Sequence, residues 1–374
     1  MAAGEDGADT QALDRAALIP RRRAAAAPNL RPVETTPPLD LATLSAWLDD
    51  QGMALDREPA PRLFAGGAAN LNYLLSIDGA FCVLRRAPSG DLPPGAHDMA
   101  REHALLSRLA PVLAEAPRSL ALCEDRSVLG APFQILEYRA GLVVHGVDRS
   151  KVGEDAETGD RLCTVMVETL ARLHAVDLET AQLTDFGRPE GFLGRTLEGW
   201  LRRARRALGE DAPASLIALE NALSDPPPDA APTLIHNDFK LDNMILEPET
   251  LSVSAVVDWD MGTLGHPLFD VAVCLSYWPE PGDPELIRML GQMPTETAGF
   301  WSRRSFVDRY AALTGADVSQ IEYFRALAVF KLAVVVLQLH VLAARGDRSN
   351  PKAAFYQPLG LALLDFALTI ARER

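Results

Sequence analysis

The stretch "LIHNDFKLDNMIL", residues 234–246, limits what this chain can fold into more than any other. Its flanks are apolar and β-prone, so both ends are expected to be buried as short strands. Its centre holds His236, Asn237, Asp238, Lys240, Asp242 and Asn243. Polar groups carried into an interior cost free energy unless they are bonded there. The centre is therefore either a solvated loop or a place where the fold holds charge for a purpose.

The spacing favours the second reading. His236, Asp238 and Asn243 fit H-x-D-x-x-x-x-N. That is the spacing of a phosphoryl-transfer catalytic loop, in which the Asp takes the proton of a substrate hydroxyl and the Asn offers its amide oxygen to magnesium. A second segment, "AVVDWDMG", ends an apolar strand on Asp258, with Asp260 two residues on. A carboxylate there is placed to chelate magnesium between nucleotide phosphates, and Asp260 could hold a second ion. Strand-end Asp residues capping a following helix are the plainer alternative.

The rest of the chain is compatible with an enzyme of this kind. At 374 residues it is long enough for two lobes, and 48% hydrophobic residues supply a sizeable core. A net charge of -15 argues against nucleic acid or an anionic membrane as partner. A phosphate site must then make its own local positive field. Cys82, Cys123, Cys163 and Cys274 are scattered among apolar neighbours, with no metal-binding or disulfide spacing, as expected in a reducing, cytoplasmic setting. No apolar run is expected to span a bilayer, since "ALAVFKLAVVVLQLHVLAA" is interrupted by Lys331, Gln338 and His340. Oligomeric state is not legible.

Residues 1–39 lack periodicity and read as a disordered tail that is no secretory signal. Order is expected from Asp40, the N-cap of a helix stopped at Gly52. Strands are expected in "PRLFAGG", "NLNYLLSI" and "AFCVLRR", the last two joined by an Asp78-Gly79 type I′ turn. A helix over about 97–110 precedes strands at "SVLG" and "PFQILEY". Helices dominate after Gly141, with one small strand pair from "NMIL" and "SAVVDW". This is an α+β pattern: N-lobe 40–138, C-lobe 139–374.

"HNDFKLDNMIL…VVDWDMGTLGHPLFDVA" resembles the aminoglycoside phosphotransferase/choline kinase-like family, and within it the branch related to the kinase-like domain of acyl-CoA dehydrogenase fusions. The likeness runs over about residues 41–370. It implies a protein kinase-like two-lobed fold with a β-rich N-lobe and a mainly helical C-lobe, and ATP and Mg2+ as cofactors. It implies Asp238 as catalytic base and Asn243 and Asp258 as metal ligands. In "FAGGAANLNYLL", Gly66 and Gly67 would let backbone amides approach phosphates, with Asn70 and Asn72 adding contacts. Strand alternation puts Phe81, Val83 and Arg85 on one face of "FCVLRR". Val83 would roof the adenine and Arg85, in place of the usual Lys, would face the phosphates, held by Glu102. Arg86 suits a solvent-facing edge. Adenine would bond to backbone groups near Glu137, Tyr138 and Arg139.

His236 and Asp270 would support the loop without acid–base roles, His174 would be structural, and His266 stands where an Asp is common. Arg195, Arg202, Arg203, Arg205 and Arg206 form a basic helix that could receive an anionic acceptor such as a CoA thioester. The implied activity is phosphoryl transfer from ATP to a hydroxyl of a small molecule, including a hydroxyacyl-CoA. Aminoglycoside phosphorylation, a kinase-like protein that binds nucleotide without turnover, and a hydrolase using a His/carboxylate metal cage are the competing readings.

Overall fold

The computed structural model describes residues 28–65, 70–87, 98–209, 212–345 and 353–373. The chain divides into two compact units, Met1–Ser107 with Pro117–Ala140 and Arg108–Ala116 with Gly141–Arg374.

In the first unit, α1 (Leu41–Asp50) begins at Asp40, whose carboxylate accepts the Thr43 N–H at 3.1 Å. It is followed by β1 (Arg62–Leu63), β2 (Leu71–Ile77), β3 (Ala80–Arg86), α2 (Met99–Leu109), β4 (Ser119–Cys123), α3 (Arg126–Leu129) and β5 (Phe133–Glu137). The strands make one antiparallel sheet in the order β1-β2-β3-β5-β4. Asp78 (φ 49°) and Gly79 (φ 82°) are both left-handed, so the β2–β3 turn is the two-residue type expected from its sequence. Cys82 and Leu84 on one face of β3 join Leu44, Leu48, Tyr73, Phe133 and Ile135 in a buried core, which leaves Arg85 on the other face.

Two expectations for this unit need correction. "SVLG" is not a strand but most of α3, capped by the Asp125 carboxylate on the Ser127 N–H and closed by left-handed Gly130. The strand lies just before it, in "SLALC". Order also begins before Asp40. Leu30 bridges Phe64 and the Arg31 N–H donates to the Leu63 carbonyl, because β1 leaves an edge to pair with. Residues 1–27 lie outside the described residues.

The second unit runs α4 (Ala156–His174), α5 (Phe192–Leu208), α6 (Ala214–Leu223), β6 (Thr233–Ile235), β7 (Met244–Leu246), β8 (Val253–Val256), β9 (Thr263–Gly265), α7 (Pro267–Ser276), α8 (Glu285–Arg288), α9 (Arg303–Thr314), α10 (Ile321–Arg345) and α11 (Ala353–Arg372). Two ribbons are embedded in it where one was expected: β7 pairs with β8, and β6 pairs with β9. "TLI" and "TLG" are too short for alternation to signal a strand. The stretch after α7 is also less helical than expected, with only α8 between Ser276 and Arg303.

The apolar helices correct a further expectation. Ile321–Ala344 and Ala353–Arg372 are both of membrane-spanning length and composition. In this fold they pack on one another, and α10 also packs on α5 and α7, with Phe330, Ala333 and Val334 fully buried. The α10–α11 contact is close at Gly360, where an added Cβ would meet Leu337 at 2.6 Å and 2.8 Å and the Ala333 carbonyl oxygen at 3.4 Å.

Gly360→Val should therefore force the two helices apart and lower stability by about 1–3 kcal/mol, measured as a fall in Tm. Gly194→Ala is the control: nothing stands within 4 Å of its Cβ on α5, so Tm should hold or rise.

Candidate active site

The first unit gathers one part of the expected machinery. Arg85 is buried on β3, and its Nε lies 2.8 Å from Oε2 of Glu102, which α2 brings in with 1% exposure. Gln134, on the neighbouring β5, donates to the same oxygen at 2.7 Å. The Gln134 Oε1 in turn accepts from Ser119 at 3.0 Å. The guanidinium is thus fixed by a carboxylate that is itself fixed, an arrangement that limits the entropy lost when an anion binds. Gln134 was not picked out from the sequence, because its place opposite Arg85 is set by the β3–β5 register.

The other expected nucleotide contacts fall into place unevenly. Val83 is half-buried on the same face as Phe81 and Arg85. Tyr138 packs against Phe64 and Phe81, at 6.5 Å and 5.9 Å between ring centroids. Glu137 does not reach outward. It is buried, its Oε2 accepts the Arg118 N–H at 3.1 Å, and it pairs with Arg139 at 3.1 Å. Any role for Glu137 and Arg139 in holding a base therefore passes through their backbone. Asn70 is buried, whereas Gly66 and Gly67 lie outside the described residues. Arg86 is not solvent-facing: it is half-buried and donates to the Leu129 carbonyl, because α3 closes over that end of the strand.

The second unit holds the loop that follows β6. The Asp270 carboxylate, fully buried on α7, accepts the His236 N–H on Oδ2 and the Asn237 N–H on Oδ1, both at 2.7 Å. His174, at the end of α4, donates from Nε2 to the same carboxylate at 3.3 Å and accepts the Tyr310 hydroxyl on Nδ1 at 2.7 Å. Burial pushes the Asp270 carboxyl up, but the His174 hydrogen bond, the electrostatics of the nearby His174 and His236 rings and the His236 N–H outweigh it and hold it below the ordinary 3.8. His266 takes over the capping role of the Asp more usual there: its Nδ1 accepts the Leu268 N–H at 3.2 Å. Burial lowers His266 to about 4, which keeps that nitrogen an acceptor at neutral pH.

This clamp aims the loop. His236 Nε2 donates to the Val257 carbonyl at 3.0 Å, so its Nδ1 is left to accept the Asp238 N–H at 3.3 Å. Asn237 is held left-handed at φ 65°. The Asp238 Oδ1 accepts the Tyr277 hydroxyl at 2.7 Å, while Oδ2 lies 3.1 Å from the Asn243 amide nitrogen and 3.2 Å from the Lys240 ammonium. Lys240 also sits over the Tyr277 ring, 4.6 Å from its centroid. Burial raises the Asp238 carboxyl, but Lys240, Lys331, Tyr277 and His236 outweigh it and hold it below 3.8. It is therefore ionised at neutral pH, as a proton acceptor must be.

Asn243 and Asp258 are brought together by the β7–β8 ladder. Pairing continues one step past the strands, with the Val257 N–H donating to the Asn243 carbonyl at 2.9 Å. The next residue, Asp258, turns left-handed at φ 70°. The Asn243 amide nitrogen donates to both the Asp238 carbonyl and Oδ2, which turns its side-chain oxygen the other way, as an acceptor. An amide oxygen and a carboxylate suit Mg2+, which keeps few protein ligands and completes its shell with phosphate and water. Among the described residues no cluster of three or more His, Cys, Asp or Glu side chains could hold a metal, so the His/carboxylate cage of a hydrolase is not formed by them.

A family model described as "Phosphotransferase enzyme family" matches residues 61–305, well over half of the sequence. The chain belongs to the phosphotransferase enzyme family. Similar curated proteins include Acyl-CoA dehydrogenase family member 10 of Mus musculus, 30% identical over 87% of this chain and 30% of its own length. Acyl-CoA dehydrogenase family member 11 of Homo sapiens is 27% identical over 89% of this chain and 43% of its own. The phosphotransferase chain thus spans less than half of these relatives.

Among solved structures, a Ralstonia eutropha protein provisionally named an aminoglycoside phosphotransferase matches with a TM-score of 0.73 and 24% identity, over 90% of this chain and 99% of its own. Macrolide 2'-phosphotransferase from Brachybacterium faecium matches with a TM-score of 0.53 and 21% identity, over 87% and 97%. The fold is the α+β, protein kinase-like one that the motifs imply.

Three side chains at the phosphotransferase loop escaped sequence reasoning. Lys240 lies inside the quoted motif, but its alternation does not say whether it turns to Asp238. Tyr277 is 39 residues away and carried no signal. Lys331 was read as an interruption of an apolar run, yet it is 4% exposed and donates to the Asn237 carbonyl and, at 3.0 Å, to its side-chain oxygen.

Asp270 carries a pH-dependent part of stability whose sign follows from its lowered value. That contribution is complete above the ordinary 3.8 and is lost as pH falls through the folded-state value. Asp270→Asn should lower stability at pH 7 by about 3 kcal/mol, because one backbone donor then faces an NH2 group. It should also flatten the acid limb of a Tm-against-pH curve below pH ~4.

Proposed function

We propose that the protein is an ATP- and Mg2+-dependent small-molecule kinase that moves the γ-phosphoryl group to an alcohol hydroxyl. The observation that carries this reading is the setting of Asp238: ionised, its carboxylate aimed by Tyr277, Asn243 and Lys240, with Asn243 one ladder step from Asp258. It is further supported by an aminoglycoside phosphotransferase with a TM-score of 0.57 to this chain, whose structure is a ternary complex with AMP-PNP and hygromycin B.

In this mechanism Asn243 and Asp258 would hold Mg2+, which when bound would supply positive charge to the phosphate oxygens. Arg85, fixed by Glu102 and Gln134, neutralises phosphate charge. Tyr138, Phe64 and Val83 offer apolar surface to a base. Asp238 orients the acceptor hydroxyl and takes its proton as the new P–O bond forms and the bond to ADP breaks. Since the transition state is loose, most of the acceleration comes from positioning and fixed charge.

The acceptor we favour is a hydroxyacyl thioester of the CoA type, over an aminoglycoside. The relatives named as acyl-CoA dehydrogenases motivate it. The basic helix adds narrower support than its five arginines suggest. Arg195 folds back on the Arg188 and Glu190 carbonyls, Arg205 pairs with Glu220, and Arg203 lies over Trp200. Arg202 and Arg206 remain exposed on α5 for an anionic group.

Phosphate transfer from labelled ATP, screened over hydroxyacyl-CoAs, aminoglycosides, amino alcohols and sugars, tests both levels. Wild type should phosphorylate a hydroxyacyl-CoA, and Asp238→Asn should lose at least about 10³-fold in kcat while still binding nucleotide. Arg202→Ala with Arg206→Ala should raise KM for that acceptor alone. Wild-type turnover in Asp238→Asn would refute the base assignment. Turnover confined to aminoglycosides would refute the acceptor.

A further inference from the structure

Lys331 is an ammonium sunk in the middle of the long apolar helix α10, with Phe330 and Ala333 beside it fully buried. Taking an ammonium out of water is expensive unless the site returns the energy. What the site returns is specific. The Nζ donates both to the Asn237 carbonyl and to the Asn237 side-chain oxygen. The other polar atoms of that residue are also engaged: its N–H on Asp270, its amide nitrogen 3.5 Å from the Met261 carbonyl. Asn237 stands directly before Asp238 and is left-handed, a conformation a non-glycine residue holds only when its surroundings impose it. The carboxylates acting on the Lys331 charge come from three elements: Asp238 on the loop, Asp270 on α7 and Asp260 after β8, with Lys240 opposing them.

We propose that Lys331 is a positioning residue for phosphoryl transfer: α10 delivers a buried cation that locks Asn237 and so sets the aim and the charge environment of Asp238. This rests on Asp238 being the base, as above. Asp270 holds the loop by its N–H groups and Lys331 holds it by a carbonyl, so the peptide between Asn237 and Asp238 is gripped on the side that Asp270 does not reach. Burial draws the ammonium down to about 8, with the three carboxylates resisting, so it is still mostly charged at pH 7.

The test is Lys331→Met, which keeps the length and removes the charge and donors, alongside Lys331→Arg. Removing one partner of a buried polar contact leaves the Asn237 oxygens unsatisfied and the nearby carboxylates uncompensated, so Tm of Lys331→Met should fall, and turnover is compared at a temperature where both proteins are folded. Its kcat should fall about a hundredfold, the scale of a misplaced reacting group, with KM for nucleotide within twofold. Lys331→Arg should recover most of the lost kcat. A kcat within threefold of wild type in Lys331→Met, or equal losses in both variants, overturns the proposal. Amide hydrogen exchange over residues 234–243 reads the same clamp without any turnover. It should quicken at least tenfold in Lys331→Met while other segments stay unchanged, and unchanged exchange there overturns the proposal. If wild type transfers no phosphate to any acceptor, the kinase reading fails by itself, and exchange still decides the role of Lys331.

Discussion

The carboxylate of Asp270 is the point on which the loop chemistry depends. A buried carboxylate is costly unless its oxygens are satisfied, and here two backbone N–H groups and one imidazole satisfy them. The same bonds fix the direction of the chain between His236 and Asn237. His236 then ties the loop to the end of β8 through the Val257 carbonyl, and the ladder beyond β7 ties Asn243 to Val257. Asp238 and Asn243 are thus held by these backbone bonds and by the Asn243 amide, which donates to the Asp238 carbonyl and Oδ2, while the ladder carries Asp258 to the same end.

Charge is distributed by the same logic. The chain is strongly acidic overall, yet its cations are spent where anions gather: Lys240 and Lys331 near Asp238, Arg85 on Glu102. Each cation is fixed by a second partner, Lys240 by the Tyr277 ring, Lys331 by Asn237, and Arg85 indirectly by Gln134, which holds its carboxylate. Fixed cations need little reorganisation when charge moves in a reaction. The His174–Tyr310 extension behind Asp270 adds rigidity and is too buried to touch a substrate.

What could be read in the sequence was whatever local pattern controls. The Asp78-Gly79 turn, the α1 cap at Asp40 and the facing of Arg85 away from Cys82 and Leu84 follow from dihedral preference and a period of two. The spacing of His236, Asp238 and Asn243 fixed a loop whose residues do converge. Nonlocal contacts were hidden. Tyr277, Gln134 and Lys331 reach their partners only because α7, β5 and α10 pack where they do. "SVLG" misled because its β-prone residues serve a short capped helix, and "SLALC" was passed over for lack of a turn signal. The run that became α10 was read as too interrupted by Lys331, Gln338 and His340 to be of membrane-spanning composition, whereas Lys331 is buried on a partner and the helix runs through it.

The central claim is that Asn243 and Asp258 form a divalent-cation site that engages a nucleotide. Calorimetric titration of AMP-PNP, with Mg2+ and then with a chelator, into wild type and Asp258→Ala measures this most directly. The account predicts binding to wild type at least about tenfold tighter with Mg2+, near 1.4 kcal/mol, and no such difference in Asp258→Ala. Equal affinity with and without the cation in wild type, or an undiminished effect in Asp258→Ala, would contradict it.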